Sequence, residues 1–479
     1  MTLSLKNLNK LYIDGHWVQG SGIDAIDVIN PASEEPIGAV PAGTSADVDL
    51  AVSAARSAFA DFAGSSVEDR LALLGRIETE YNNRREDMAQ AISMEMGAPI
   101  DLARGSQVAL GAGHIRSAIQ ALEQFQFEVV ENGMILRHEP IGVCGMITPW
   151  NWPMNQVVVK VAPALAAGCS MVLKPSEESP LSAMVFAEIV HAAGVPAGVF
   201  NMVQGYGPVV GEAMSAHPGI DMMSFTGSTR GGIAVARASA DTVKRVAQEL
   251  GGKSANIILD DCDIPGAVAQ GVRYCMGNSG QSCNAPTRML VPLDSMDTAI
   301  MAAREVADSI AVDDPSKEGK HIGPLVNKRQ FDRVQTLIQA GIDEGAELVA
   351  GGTGRPDNLN TGYYVRPTVF ARVDNDMTIA REEIFGPVLC LIGYQDEADA
   401  VRIANDTVYG LSGYVSSSDR ERATRVARQI RAGQVAINYQ GGTTETPFGG
   451  FKQSGNGREK ARWGLQEYLE LKSITGAVA

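Results

Sequence analysis

From Pro140 onward the chain repeats one unit: a strand-length apolar run, a turn, then a helical stretch. IGVCGMITP, CSMVLKPS, VFNMVQG and DMMSFTG read as strands, with VVVKVAPALAAG, LSAMVFAEIVHAAG, PVVGEAMSAH and GGIAVARASA as the helices between and after them. Apolar strands interleaved with helices predict a parallel sheet covered on both faces, joined by right-handed crossovers. A second series runs from about Gly252 to Asn438, with SANIILDD, TRMLVPLD, AELVAGG, PVLCLIGY, LSGYVSSS and QVAIN as strands. The pattern predicts an α/β protein with two domains of similar size. Ahead of them come short strands (LYIDGHWV), a turn (NPASEEP), a helix from about Ser45 and a long helical region to about Leu122. FQFEVVENGMILRHEP interrupts the series. Phe125, Phe127 and Val129 alternate, Asn132-Gly133 sits at the turn, and Met134 and Leu136 resume, which is a strong hairpin signal.

Composition removes several functions. The 479 residues are 45% hydrophobic, enough for a sizeable core, and carry a net charge of −16 with no basic block. Such a chain is a poor match for a nucleic-acid backbone or an anionic membrane surface. No apolar stretch reaches the roughly 18 residues of a membrane span, and the N-terminus lacks the apolar core and cleavage site of a leader. Cys144, Cys169, Cys262, Cys275, Cys283 and Cys390 form no C-x-x-C pair, so a reducing cytoplasm is expected. The six histidines form no zinc-type cluster, and no metal is expected.

Two loops carry candidate chemistry. SFTGSTRGG (residues 224–232) follows a strand and opens a helix, where backbone N–H groups and the helix dipole can hold a phosphate. GYGPVVG (205–211) is one residue too long for the dinucleotide fingerprint G-x-G-x-x-G. GNSGQSCNAP (277–286) places Cys283 in a polar, glycine-rich loop, whereas the other cysteines mostly lie in apolar runs. A reactive cysteine requires partial exposure and neighbours that favour its thiolate, and this loop is the one place offering both.

PWNWP (149–153), LKPSEESP (173–180), FTGSTRGG, ELGGKSANIIL (249–259), GQSC (280–283), EEIFGPVL (382–389) and PFGGFKQSGNGRE (447–459) resemble the NAD(P)-dependent aldehyde dehydrogenase superfamily, in the family's order and across essentially the whole chain. The resemblance implies a Rossmann-type cofactor domain (1–121 and 141–251) and a second α/β catalytic domain (252–440). It also implies a small β oligomerisation element (122–140 and 465–479) and a connecting arm (441–464). It implies Cys283 as nucleophile, Asn151 as oxyanion donor with the Cys283 N–H, and Glu249 as the base that activates water for thioester hydrolysis. For NAD it implies Lys174 and Glu177 at the adenine ribose and Thr226, Gly227 and Ser228 at the pyrophosphate. Glu383 would take the nicotinamide ribose, with Trp150, Gly232, Leu250 and Phe385 also on the cofactor. NAD is expected over NADP because the Glu177 carboxylate would face a 2′-phosphate. Trp152, Gln156, Asn284 and Phe448 are implied at the aldehyde, and glycines at 277, 441 and 442 point to a wide mouth. No arginine stands out to hold a substrate carboxylate, so a dedicated short-semialdehyde role is not expected.

Three other functions stay open on sequence. An acylating enzyme that passes its thioester to coenzyme A or phosphate is disfavoured by Glu249, because relatives of that kind commonly lack the base. A catalytically silent structural relative is disfavoured by the intact Cys283, Asn151 and Glu249. A cysteine hydrolase needs a histidine partner, and no histidine sits in a motif that supplies one. The hairpin and LELKSITGAVA, a terminal strand with no evident partner in the chain, predict a homodimer or a dimer of dimers, with the tail pairing across subunits.

Overall fold

Two sheets meet end to end in the computed structural model, which describes residues 5–477. The leader reading at residues 1–4 and the last two residues of the tail reading lie outside that range. In the first sheet, Arg245–Glu249, Met222–Thr226, Val143–Ile147, Ser170–Lys174 and Phe200–Met202 lie side by side and parallel. The Leu11–Ile13 and His16–Val18 hairpin extends one edge, and Gly455–Asn456 extends the other. The chain steps outward from Val143–Ile147 through two strands, then returns to its other side with Met222–Thr226. Ligands of open α/β sheets bind beyond the strand C-termini at such a reversal. Here that crevice lies between residues 148–151 and 226–228.

The second sheet runs Glu347–Ala350, Thr368–Ala371, Val388–Tyr394, Arg288–Pro292, Ala255–Ile258, Ser412–Ser416, Gln434–Ile437, and only its first pair is antiparallel. Thr368–Ala371 was not foreseen, because four residues are too few to show a period. The helix Pro153–Ala167 is buried at every position except Asn155, so it packs within the first domain rather than on its surface. Glu249 ends a strand of the first sheet, and Ala255 begins one of the second. C-terminal strand ends of one sheet therefore face N-terminal strand ends of the other.

Asn132 and Gly133 both take positive φ, 49° and 72°, as a two-residue hairpin of this kind requires. The strand itself is Glu128–Glu131, paired with Met134–Pro140. Phe125 and Phe127 precede it. They stack edge to face at 4.9 Å and pack against the first sheet's core, with the Arg70 guanidinium 4.9 Å over Phe127. The expectation for the tail is corrected on one edge. Leu469–Thr475 pairs with Met134–Pro140 of its own chain, from Leu469↔Pro140 to Thr475↔Met134. Arg245 steers it there, donating to the Glu467 and Leu469 carbonyls (2.8 and 3.1 Å) and pairing with Glu470 at 2.7 Å. The strand's other edge is open, with Leu471 and Ile474 exposed. Among the described residues no helix is long and apolar enough to cross a membrane.

Deleting the residues after Glu470 strips most of this strand and leaves an unpaired edge on a two-stranded remnant. The expected result is a melting temperature lower by at least about 3 °C, roughly 1 kcal/mol. An unchanged melting temperature would show that the tail does not brace the hairpin.

Candidate active site

The Cys283 loop is tied down from several directions. Met276 ends a helix, and Asn278 and Ser279 then take positive φ, 54° and 58°, reversing the chain ahead of the nucleophile. Four buried carboxamides hold this strained turn. Asn278 Nδ2 donates to the Asn151 carbonyl (2.9 Å) and the Gln281 carbonyl (3.2 Å). Asn151 Nδ2 donates to the same Gln281 carbonyl at 3.0 Å, and Gln281 Nε2 returns a bond to the Asn278 carbonyl at 3.2 Å. Gln107 Nε2 reaches Asn278 Oδ1 at 3.1 Å. Gln281 Oε1 accepts from the Val326 N–H at 3.0 Å. Downstream, Trp152 Nε1 donates to Ser282 Oγ (2.8 Å), and Tyr414 Oη donates to the Asn284 carbonyl (2.8 Å).

This frame leaves specific groups free. A carboxamide has two N–H donors, and Asn151 uses one on Gln281. The Cys283 N–H has no hydrogen-bond partner among the described residues. Both can serve an oxyanion formed beside the sulfur. Glu249 is buried, and neither carboxylate oxygen has a partner. Gly449 makes room for it: at φ 151°, a Cβ there would sit 2.6 Å from Glu249 Oε1. Burial holds the Glu249 pKa well above the carboxylate range, and Glu459 adds to the rise. A cavity of about 10 Å³, room for one water, lies beside Glu249 and is lined also by Lys160, Ser224, Glu459, Glu467 and Tyr468. Within it Lys160 Nζ bonds Glu459 at 2.5 Å and Ser224 Oγ at 3.1 Å.

One expectation about Cys283 fails. The loop promised surroundings that favour thiolate, but the half-buried residue has its thiol pushed up to about 12, first by burial and then by the Glu383 and Glu249 carboxylates. The charges brought closest to the sulfur are acids, which the loop's own composition does not reveal.

The residues expected to hold the dinucleotide lie at or just after strand ends of the first sheet, with Glu383 brought to Gly252 from the second domain. Lys174 ends its strand buried, with Nζ on the Pro175 carbonyl (2.9 Å) and Glu177 (3.1 Å). Burial lowers its pKa, and Glu177 draws it back up. Ser228 caps the helix Thr229–Ser239, its Oγ accepting from the Gly231 N–H at 3.2 Å. The Gly227 N–H is spent on the Glu249 carbonyl at 3.0 Å, so Gly227 offers a phosphate close approach but no donor. Thr226 Oγ1 is buried without a partner. Gly232 packs on Leu250, where a Cβ would lie 2.6 Å from its methyl. Of the adjacent acids, Glu382 turns to Arg333 (3.4 Å), while Glu383 accepts from the Gly252 N–H at 2.9 Å with its pKa raised to about 7 by burial. Trp150 meets Phe385 edge to face at 5.4 Å. Gln156 is buried with Oε1 unpartnered, and Phe448 sits under the Lys460 ammonium at 4.9 Å. Orphaned Thr226, a capped helix start and a carboxylate at each end of the crevice fit an extended diphosphate carrying two riboses.

The aldehyde dehydrogenase family model matches residues 17–474, and the chain belongs to that family. It is 52% identical over 473 residues to a 3-succinoylsemialdehyde-pyridine dehydrogenase of a Pseudomonas species, covering 98% of this chain and 99% of that protein. A cysteine-to-alanine mutant of aldehyde dehydrogenase C from Pseudomonas syringae, solved with NAD+ and octanal, superposes with a TM-score of 0.98 at 55% identity, covering 99% of this chain and 98% of that one. A Mycobacterium tuberculosis aldehyde dehydrogenase complexed with NAD+ gives 0.96 at 40%, with 98% of each chain covered.

Sequence reading missed Gln107, Asn278, Lys160 and Glu459. Lys160 carried a signal, a lone charge inside the apolar VVVKVAP run. Gln107 carried none: it ends a π-helical turn, Ala103–Gln107, that breaks the helix register and points a polar side chain inward.

The raised thiol pKa gives a direct test. Below its pKa a thiol's thiolate fraction grows about tenfold per pH unit. Alkylation of Cys283 in the free protein, read by mass spectrometry of its peptide, should climb through pH 10 without levelling. A plateau near pH 9 would contradict the assigned environment.

Proposed function

We propose that the chain oxidises an aldehyde to its carboxylic acid by a covalent route on Cys283, with NAD as electron acceptor and water as acyl acceptor. The observation that carries this is Glu249, a buried carboxylate without a partner that acts electrostatically on the Cys283 thiol. The NAD-bound relatives and the octanal bound to one of them support the cofactor and the substrate class.

When bound, NAD supplies the hydride acceptor. Lys174 and Glu177 would hold its adenine ribose, Glu383 its second ribose, and Thr226 with the start of the helix Thr229–Ser239 its phosphates. Gly227, Gly232 and Leu250 would shape the floor, and Trp150 and Phe385 would lie beside the nicotinamide. The Cys283 sulfur bonds the carbonyl carbon as its S–H bond breaks and the proton passes to water, and the π electrons move to oxygen. Asn151 and the Cys283 N–H hold that oxygen, one such donor contributing roughly 3–4 kcal/mol of barrier lowering. The C–H bond then breaks with both electrons leaving the carbon, and a thioester remains. Glu249 takes a proton from water as the new C–O bond forms, and C–S cleavage frees the acid and restores the thiol. Trp152, Gln156, Asn284 and Phe448 would surround the aldehyde. A Cβ at Gly277 or Gly441 would meet only open space, in keeping with a wide mouth, whereas one at Gly442 would meet Thr446 at 2.7 Å, so that glycine is needed for packing rather than for width.

Glu177 favours NAD over NADP by about 1–3 kcal/mol, since its carboxylate would face the 2′-phosphate, while Lys174 softens the penalty. Six free cysteines suit a reducing cytoplasm. The open edge carrying Leu471 and Ile474 supports assembly as a dimer or a dimer of dimers.

With an aldehyde, NAD and no coenzyme A, absorbance at 340 nm should show steady NADH production. Cys283→Ala should abolish it and keep NAD binding. Glu249→Gln should keep a burst of about one NADH per site and then slow. Equal loss of burst and steady state in Glu249→Gln would remove the water-activating role, and full activity in Cys283→Ala would end the covalent reading.

A further inference from the structure

The segment closing over Glu249 carries a second lysine. Phe448 and Glu459 exchange backbone hydrogen bonds of 3.1 and 2.7 Å, which folds residues 448–459 into a closed loop whose Gly449 lies against Glu249. Lys460 follows with φ at 76°, and Ala461 with φ at 46°. Two consecutive non-glycine residues in this region are costly, on the order of 1 kcal/mol or more each, and persist only where the surroundings enforce them. What this turn achieves is to lay the Lys460 ammonium over the Phe448 ring, 4.9 Å from its centroid.

The nearby buried lysine, Lys160, is neutralised by Glu459. Lys460 is not: no acid pairs with it among the described residues. The aromatic face is a charge-stabilising contact, and such contacts strengthen where water is excluded. Gly449, the residue after Phe448, lies against Glu249, which brings the ammonium to the side of the site that holds that acid. Burial lowers its pKa, and Glu459, Cys283 and Glu249 draw it back up. His114, on the helix Val108–Gln124, feels the same ammonium. Its Nε2 lies 2.7 Å from Asn155 Oδ1, and burial pushes its pKa down to about 4, so it stays neutral and adds no second cation. A cation without an acidic partner among the described residues is thus held, at a cost in backbone strain, on the ring of Phe448, next to the Gly449 that lies against Glu249.

We propose that Lys460 is a specificity-determining residue whose ammonium takes an oxygen acceptor, keto or carboxylate, carried by the aldehyde substrate a few atoms beyond its reacting carbonyl. The inference rests on the reading of Cys283 as the group that attacks the aldehyde. It revises the view that no cation is available for a polar substrate: the side chain is a lysine directly after the PFGGFKQSGNGRE motif, not an arginine.

The test compares three aldehydes of matched length with NAD: hexanal, 4-oxohexanal and adipic semialdehyde. Wild type should favour at least one oxygen-bearing aldehyde over hexanal in kcat/KM, and which one tells a keto from a carboxylate acceptor. In Lys460→Met that preference should fall at least tenfold, expressed mainly in KM, and Lys460→Arg should restore part of it. Equal loss on all three aldehydes would mean that Lys460 acts on Cys283 rather than on the substrate, and would overturn the proposal. So would an unchanged preference. If no aldehyde is oxidised by wild type, the reading of Cys283 falls and this inference with it. Oxidation of all three with no preference that depends on Lys460 removes only the inference.

Discussion

Four buried carboxamides, on Gln107, Asn151, Asn278 and Gln281, hold the structure's one chemically decisive loop in a conformation it would not adopt alone. Each side chain is almost wholly removed from water, so each unmade bond costs about 1–3 kcal/mol. The set is therefore stable only when nearly complete. Its members come from a π-helical turn, from the start of the helix Pro153–Ala167 and from the Cys283 loop itself. Val326 adds a fourth segment. Completion of the set draws the two sheets together and fixes two consecutive positive-φ residues before the nucleophile. It also aims Asn151 at the place where negative charge develops. Of the four carboxamides only Gln107 leaves a buried oxygen, Oε1, without a partner, whereas Glu249 leaves both of its own bare.

The electrostatics follow from the same closure. Burial raises the pKa of Cys283, Glu249 and Glu383 together, so ionising any one of them is opposed by its surroundings. A thiol near 12 is a poor standing nucleophile, and attack must be coupled to removal of its proton. A carboxylate whose pKa is raised is a stronger base than an exposed one, which is the property wanted for taking a proton from water in thioester hydrolysis. The small cavity beside Glu249, with Lys160 and Glu459 across it, gives that proton a polar neighbourhood in an otherwise apolar interior.

The fold was largely legible because burial on both faces writes strands as continuous apolar runs, and every run read as a strand after Pro140 is one. Thr368–Ala371 escaped because it is short and flanked by charge. The tail's partner escaped for a different reason: strand pairing is long-range, and nothing in LELKSITGAVA names Met134–Pro140. At the site, Cys283, Glu249, Glu383 and Lys174 were visible through motifs. Gln107 was not, because a break in helix register leaves no mark in composition. The thiol's environment was misread for the same physical reason, since which charges surround a side chain is set by distant segments brought together.

The account stands or falls on whether the carboxamide set positions the reacting groups. Gln107→Met keeps length and apolar packing beside Met96 and removes the donor to Asn278. Stopped-flow measurement of the first NADH formed, at saturating NAD, isolates hydride transfer from later steps. The account predicts a rate at least tenfold below wild type, with NAD affinity little changed and a melting temperature lower by about 3 °C or more. A wild-type first turnover in that variant would contradict it.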